Sequence, residues 1–438
     1  MTRPKLGRER VSLESGRDAR APSSTEEDCA SILPFKMPSR LQTSTAIIVG
    51  GGVTGLSTAY HLARKGIRKI IVLEKGPVGD GSSSRAAGII TGLLWTDAEI
   101  RARKKSLELF RQFSHELDNY KFQDVGCLNL FDAHSWPERE ELLPLYRRLE
   151  APFEILAPGE MRARWPALHV PDGFTGLFDP LGGYSEPDEY VPALAKKDRE
   201  LGVEIREHQK VTGFLVSDGR VTGVDTAQGA IEGDAVICTV YAWTLKLLEA
   251  VELRLPVKAF VHQRYVTAPL PAPVRIPAIN ANPLNGYIRP VPGKRLLVGV
   301  ETSGRDEYRV ESLDFHMSAL SAPTELKSQA MRDFVSLVPE LTGASWESES
   351  VGLLTFSMDG EPILGPVAAL PGLYVGVAFH SGGFAYNPVA GMLLAEYVAD
   401  GRATIDVRAF SPDRFARDET DDYLAITLAQ KDVFRRRH

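Results

Sequence analysis

Between Thr45 and Glu74 the chain sets out a strand, a glycine turn, a helix and a second strand within about thirty residues, the length of one βαβ unit. Thr45-Ala46-Ile47-Ile48-Val49 is a β-branched apolar run that ends in glycines, the pattern of a buried parallel strand. Residues 53–65 place Leu56, Tyr60 and Ala63 on one helical face, and Gly66 stops the helix. Lys69-Ile70-Ile71-Val72-Leu73 is the second strand. The turn between them reads Gly50-x-Gly52-x-x-Gly55. Gly50 permits the tight turn, Gly52 lets a pyrophosphate approach the backbone, and Gly55 lets helix pack on strand. Val53 and Thr54 then open a helix whose free N–H groups and positive dipole end favour phosphate. Glu74 closes the second strand, where a carboxylate accepts from ribose hydroxyls. The chain binds a dinucleotide on this reading.

Composition narrows the rest. The chain has 438 residues, 43% hydrophobic and 25% charged, which suits a globular protein of two or three domains without disulfides. Its formal charge of −6 argues against nucleic acid or an anionic membrane surface as partner. Cys29, Cys127 and Cys238 are scattered, form no CxxC and build no zinc site, so no metal is expected and a reducing compartment is. The uncharged stretch 41–63 is long enough to span a bilayer, but its Gln, Ser, Thr and Gly content reads as strand, turn and helix, so no transmembrane segment is expected. Residues 1–44 mix basic and acidic side chains with Pro and Ser and read as a disordered extension. The expected location is cytoplasmic, with the mitochondrial matrix as the lesser alternative.

Further along, a helical period runs from about 100 to 120, and Cys127 to Phe131 reads as a strand. Pro187 opens another helix. Four short strands are expected near 203–206, 210–217, 220–227 and 230–238, and more near 257–267, 284–289 and 295–301. A long helix is expected over 312–338, a strand over 373–377 and a last helix over 388–399, while the final Phe434-Arg435-Arg436-Arg437-His438 reads as a solvated end.

After Glu74 comes Lys75 and then the small-residue loop Ser82-Ser83-Ser84-Arg85-Ala86-Ala87-Gly88, suited to close approach of a flat ring. That loop resembles the second flavin-contacting segment of the D-amino-acid-oxidase (DAO) superfamily. Later segments are similar in the same order. Val211 opens the strand that in the family reaches the adenine. Ala235 to Trp243 resembles its A-x-G-A-W turn, with Tyr241 in place of glycine. The runs 352–366 and Phe379-His380-Ser381-Gly382-Gly383-Phe384 resemble its return to the flavin. The resemblance covers about residues 45–400, and within the superfamily looks most like dimethylglycine and sarcosine dehydrogenases and the sarcosine oxidase β subunit. It implies a glutathione-reductase-like Rossmann FAD domain, an α/β layer plus antiparallel strands, with an inserted substrate domain on a large mixed sheet. The expected division is 45–120, 180–255 and 350–405 for the discontinuous FAD domain, 121–179 and 256–349 for the substrate domain, and 406–438 as a tail. No folate-binding domain is expected to follow. Arg85 stands where covalent members carry a flavin-linked His and no Cys lies near 345–365, so the resemblance implies non-covalent FAD. Leu354 stands where relatives carry a carboxylate-binding Arg, and Leu297 where others carry an oxygen-promoting Lys.

The activity so implied is hydride transfer from the C–H bond beside nitrogen of an N-methylated or secondary amino acid to flavin N5. The open alternatives are a 2-hydroxy-acid dehydrogenase on the same fold and an accessory flavoprotein. A partner flavoprotein or subunit is the possible electron acceptor. Tyr287 and Arg289 alternate along one strand and so share a face, where Arg289 either clamps a substrate carboxylate or pairs with an acid of the protein. His262 and Tyr265 sit on a neighbouring strand; His262 either takes a proton from the substrate ammonium or is structural. His380 lies in the turn before the last helix and either meets the flavin and substrate or only closes the turn. Ser381, Gly382, Gly383 and Phe384 open a helix N-terminus suited to negative charge on reduced flavin.

Overall fold

The computed structural model describes residues 44–301 and 304–433, so residues 1–43 of the expected extension over 1–44, and the terminal residues 434–438, lie outside it. Two large sheets organise the chain. The first has six strands in the order Ile363–Pro366, Leu373–Val377, Ala235–Cys238, Thr45–Val49, Lys69–Leu73 and Glu204–Arg206. All neighbours are parallel except the edge strand Ile363–Pro366. The central strand is apolar because both faces are covered; Ile47 and Ile48 have no exposure. The helices Val53–Arg64 and Gly383–Asp400 cross closely on one face, where Gly391 brings its backbone against Ser57. Pro388 lies inside the last helix rather than at its start. The carbonyl it leaves without a backbone partner, that of Phe384, accepts instead from the Asn387 side chain, so the helix begins at Gly383 and reaches the site.

The second sheet has eight strands, in the order Trp346–Ser357, Val257–Thr267, Arg295–Val300, Gly286–Val291, Ala278–Ala281, Cys127–Phe131, Thr175–Asp179 and Glu154–Leu156. It is mixed, with one parallel pair between Ala278–Ala281 and Cys127–Phe131. A small antiparallel sheet, Val211–Ser217, Arg220–Thr226 and Ile231–Glu232, flanks the first.

Three expectations change. The helix over 312–338 shortens to Glu325–Val335, because residues 305–324 are irregular chain apart from a short 3-10 turn at Met317–Ala319. The boundary at 350 falls inside the strand Trp346–Ser357, which pairs with Val257–Thr267 along its whole length. Residues 406–433 are a docked segment rather than a loose tail. They carry the helix Arg417–Ala425, Lys258 donates to Ile426 O, and Val433 packs with Phe260 and Phe356. The buried Lys258–Glu307 ion pair lies beneath. Among the described residues no helix is long and apolar enough to cross a membrane.

Candidate active site

One cavity of about 250 Å³ runs from the carboxyl ends of the parallel strands to the face of the mixed sheet. At its first end Gly50 takes φ +106°, a conformation that needs glycine. A Cβ at Gly55 would strike Gly50 O, so this glycine is not a wall residue but holds helix against turn. Gly52 is the residue whose missing side chain leaves cavity: a Cβ there meets only the Ser83 hydroxyl, at 3.0 Å. The helix carries no side-chain cap from its own N-cap residue; Val53 N–H donates to Ser83 Oγ at 3.0 Å, and Thr54 follows in the wall. Glu74 accepts from Gly51 N–H at 2.8 Å and Gly76 N–H at 3.0 Å, and burial holds its carboxyl above the usual range. Lys75 lies 4.0 Å over the Trp243 ring and donates to Leu313 O and Phe315 O; burial lowers its ammonium to about 8. Val211 lines this end as well.

Along the middle, Ser82, Ser83, Arg85, Ala86, Ala87 and Gly88 line the cavity. Ser84 does not. Its hydroxyl donates to Gly81 O and it faces a second hollow of about 660 Å³ on the other side of the loop. The loop is fixed from below by Arg264, which donates to Arg85 O and Ser84 O, both at 3.0 Å.

At the far end, three non-glycine residues take left-handed backbone: Tyr241 at φ +49°, Ala378 at +58° and His380 at +56°. Tyr241 thus holds a left-handed conformation without the freedom of glycine. Its side chain adds two bonds: the hydroxyl accepts from Thr355 N–H and donates to His380 O, both at 3.1 Å. His380 N–H donates to Thr355 O, and its ring meets Phe356 edge-on at 5.2 Å with Nε2 3.5 Å from Ser357 Oγ. His380, Ser381, Gly382, Gly383 and Phe384 all line the cavity.

The mixed sheet supplies the remaining wall. His262 Nε2 and the Tyr287 hydroxyl are 3.0 Å apart, joining two strands separated by Arg295–Val300. Burial holds the Tyr287 phenol well above its ordinary range, so it stays protonated. Two proposed site residues are corrected. Tyr265 lies an odd number of residues from His262, so it projects to the opposite face, where it is fully buried against Trp346. Arg289 is fully buried too, but Glu186 takes its guanidinium in a two-pronged ion pair and Ala87 O accepts from its Nε, which leaves nothing for a substrate carboxylate.

One residue escaped the sequence reading. Arg103 lies on the helix Asp97–Glu116, which Thr96 starts with a capping box to Glu99. It is 1% exposed yet reaches the cavity wall. Ile100, Arg103, Leu107 and Phe110 recur at helical spacing on the buried face, and an arginine in that stripe was the available signal.

Comparison with known proteins bears on this geometry. The DAO description, FAD dependent oxidoreductase, matches residues 45–397. The chain belongs to the DAO family. Similar relatives include sarcosine oxidase subunit beta of an Arthrobacter species, 30% identical over 86% of this chain and 92% of that protein. Human mitochondrial sarcosine dehydrogenase is 26% identical over 88% of this chain, which spans only 43% of its length. The crystal structure of L-proline dehydrogenase from P. horikoshii superposes with a TM-score of 0.79 over 86% of this chain and 98% of that one, at 24% identity. The DAO cofactor is FAD, and the cavity fits it: a Cβ-free cradle at Gly52, an uncapped helix start and a long slot of small residues. Cys127 and Cys238 are buried and neither lines the cavity.

Proposed function

We propose that this DAO-family enzyme oxidises the C–H bond beside nitrogen in a small N-methylated or secondary amino acid. The observation that carries the reading is the continuity of one cavity, from the glycine turn at Gly50 to the His262–Tyr287 pair on the mixed sheet. FAD held along Gly52, Ser83 and Gly382 would supply the hydride acceptor, its N5, for both electrons of that C–H bond. The protein's own groups do the rest. A protonated Tyr287 orients a nitrogen or oxygen lone pair, and His262 beside it receives a proton from the substrate ammonium so that neutral amine reacts. The backbone of Gly382 and Gly383, at the start of an 18-residue helix, would stabilise negative charge on a cofactor bound against it. Hydrolysis of the imine product needs only water.

Anaerobic mixing of the purified holoprotein with sarcosine, dimethylglycine, proline and 2-hydroxyglutarate tests this. Bleaching of the flavin near 450 nm by an amine, with none by the hydroxy acid, is the expected result; bleaching by the hydroxy acid alone overturns the reading.

A further inference from the structure

The described residues of the cavity wall include one fully buried cation whose best hydrogen-bonding edge has no partner. Arg103 lies 4.1 Å over the Tyr386 ring, and its Nη1 reaches Thr91 O at 3.5 Å. Its Nε and Nη2 find no acceptor at hydrogen-bonding distance. Those two nitrogens share one side of the guanidinium, with parallel N–H bonds spaced for the two oxygens of a carboxylate. The chain shows the use of that edge elsewhere. Arg414 grips Asp359 with Nε and Nη2, as Arg111 does Asp124, Arg295 does Glu347 and Arg408 does Asp406. In Arg103 alone of these five the edge is buried and unfilled.

Burial is costly for a guanidinium; the Glu99 carboxylate one turn earlier and the Tyr386 ring offset it without filling that edge. Burial also lowers the affinity of Arg103 for its proton. The edge lies where the last helix opens: Nη2 rests against Gly382, whose φ of −93° any residue could adopt. A Cβ there would lie 2.2 Å from Nη2, so the guanidinium would have to shift. Asn280, also in the cavity wall, donates to Asn129 Oδ1 at 2.9 Å. With Arg289 consumed by Glu186, Arg264 by the Ser84 and Arg85 carbonyls and Arg295 by Glu347, the described residues of the mixed sheet provide no such edge.

We infer that Arg103 is the receptor for the substrate's carboxylate, so that the acid group is anchored from a helix of the cofactor half rather than from the sheet. This rests on the proposed amino-acid oxidation and fixes its substrate class: an amine that carries a carboxylate, with the carboxylate pointing toward Gly382.

The test pairs sarcosine with N-methylethylamine, which lacks the carboxylate, and adds acetate as an unreactive probe. Native holoprotein, Arg103→Gln and Arg103→Lys are compared by anaerobic flavin reduction, by the acetate-induced change in flavin absorbance, and by FAD content and Tm. The expected result is a rise of about 100-fold in half-saturation for sarcosine in both variants, the loss of two charge-assisted bonds. Limiting reduction by N-methylethylamine stays unchanged, and the acetate response is lost. Arg103→Lys keeps the buried charge without the paired edge, so it carries the test if Arg103→Gln loses FAD. Equal slowing with both amines, or an unchanged acetate response, overturns the assignment. If no amine reduces the native flavin, the amine reading fails, while loss of the acetate response in the variants still upholds Arg103 as a carboxylate receptor.

Discussion

Two glycines of the phosphate turn, three residues apart, should fail in different ways when each becomes alanine. A methyl at Gly55 would sit about 1 Å inside the 3.0 Å limit that Cβ atoms keep from other atoms, against Gly50 O, and at 3.0 Å from Thr239 Oγ1. Neither neighbour can yield. Gly50 is held at φ +106°, and Thr239 donates to Val49 O at 3.0 Å. The helix cannot retreat, because its other side meets the last helix at Gly391 with no space for a methyl. Overpacking against backbone on two sides costs about 3 kcal/mol or more. In a chain this large that lowers the apoprotein Tm by roughly 3 °C. Gly52→Ala is the opposite case. Its φ of −77° is ordinary, and the added methyl meets only a hydroxyl that can rotate, so the apoprotein should lose less than about 1 kcal/mol. The methyl does occupy the path of the pyrophosphate, so FAD affinity should fall about 100-fold or more. Differential scanning fluorimetry of the apoproteins and fluorescence titration with FAD separate the effects. A stable apo Gly55→Ala, or a Gly52→Ala protein with native FAD affinity, refutes the division of labour between the two glycines.

Tyr241→Phe strands Thr355 N–H and His380 O, and should cost about 1–3 kcal/mol while slowing flavin reduction through the loosened turn; an unchanged Tm and rate would show that neither bond matters. Asp198 is fully buried with no donor at either oxygen, and burial holds its carboxyl well above the usual range. The folded state therefore keeps a proton that the unfolded chain releases, and stability falls as pH rises above about 4. Asp198→Asn should flatten that slope, its Tm advantage over the native protein growing from pH 5 to pH 8; a constant difference would rule the carboxyl out. Acid precipitation should release yellow FAD into the supernatant, and a coloured pellet would reveal a covalent link that Arg85 and the cysteines do not explain.

What could be read from the sequence follows the range of the interactions concerned. The glycine turn, its strands and Glu74 lie within one local unit, and their spacing alone places them. The left-handed turn at Tyr241 could only be inferred as glycine's place, since its partners Thr355 and His380 come more than 100 residues later. Arg289 was ambiguous for the same reason: its partner Glu186 is 103 residues away, and no local pattern distinguishes a clamp from a buried pair. Tyr265 was a matter of parity that the strand period already contained. Arg103 lies within the charged run 101–105, and its neighbours Arg101, Lys104 and Lys105 concealed the one side chain on the buried face.

The order of strands in the six-stranded sheet also governs how the protein comes into being. The first strand pairs on one side with Lys69–Leu73, made soon after it, and on the other with Ala235–Cys238, after which Leu373–Val377 must still be added. Thr239 closes the glycine turn from 190 residues away, and the last helix supplies the far end of the cavity. Such pairing is slow because the chain entropy of closing long loops is spent before the contacts form. During synthesis the free edges of Thr45–Val49 and Lys69–Leu73 stay exposed until Ala235–Cys238 and Glu204–Arg206 are made, more than 100 residues later, a template for aggregation. FAD therefore finds no full site on a nascent chain, and cofactor capture is the closing event of folding rather than its seed.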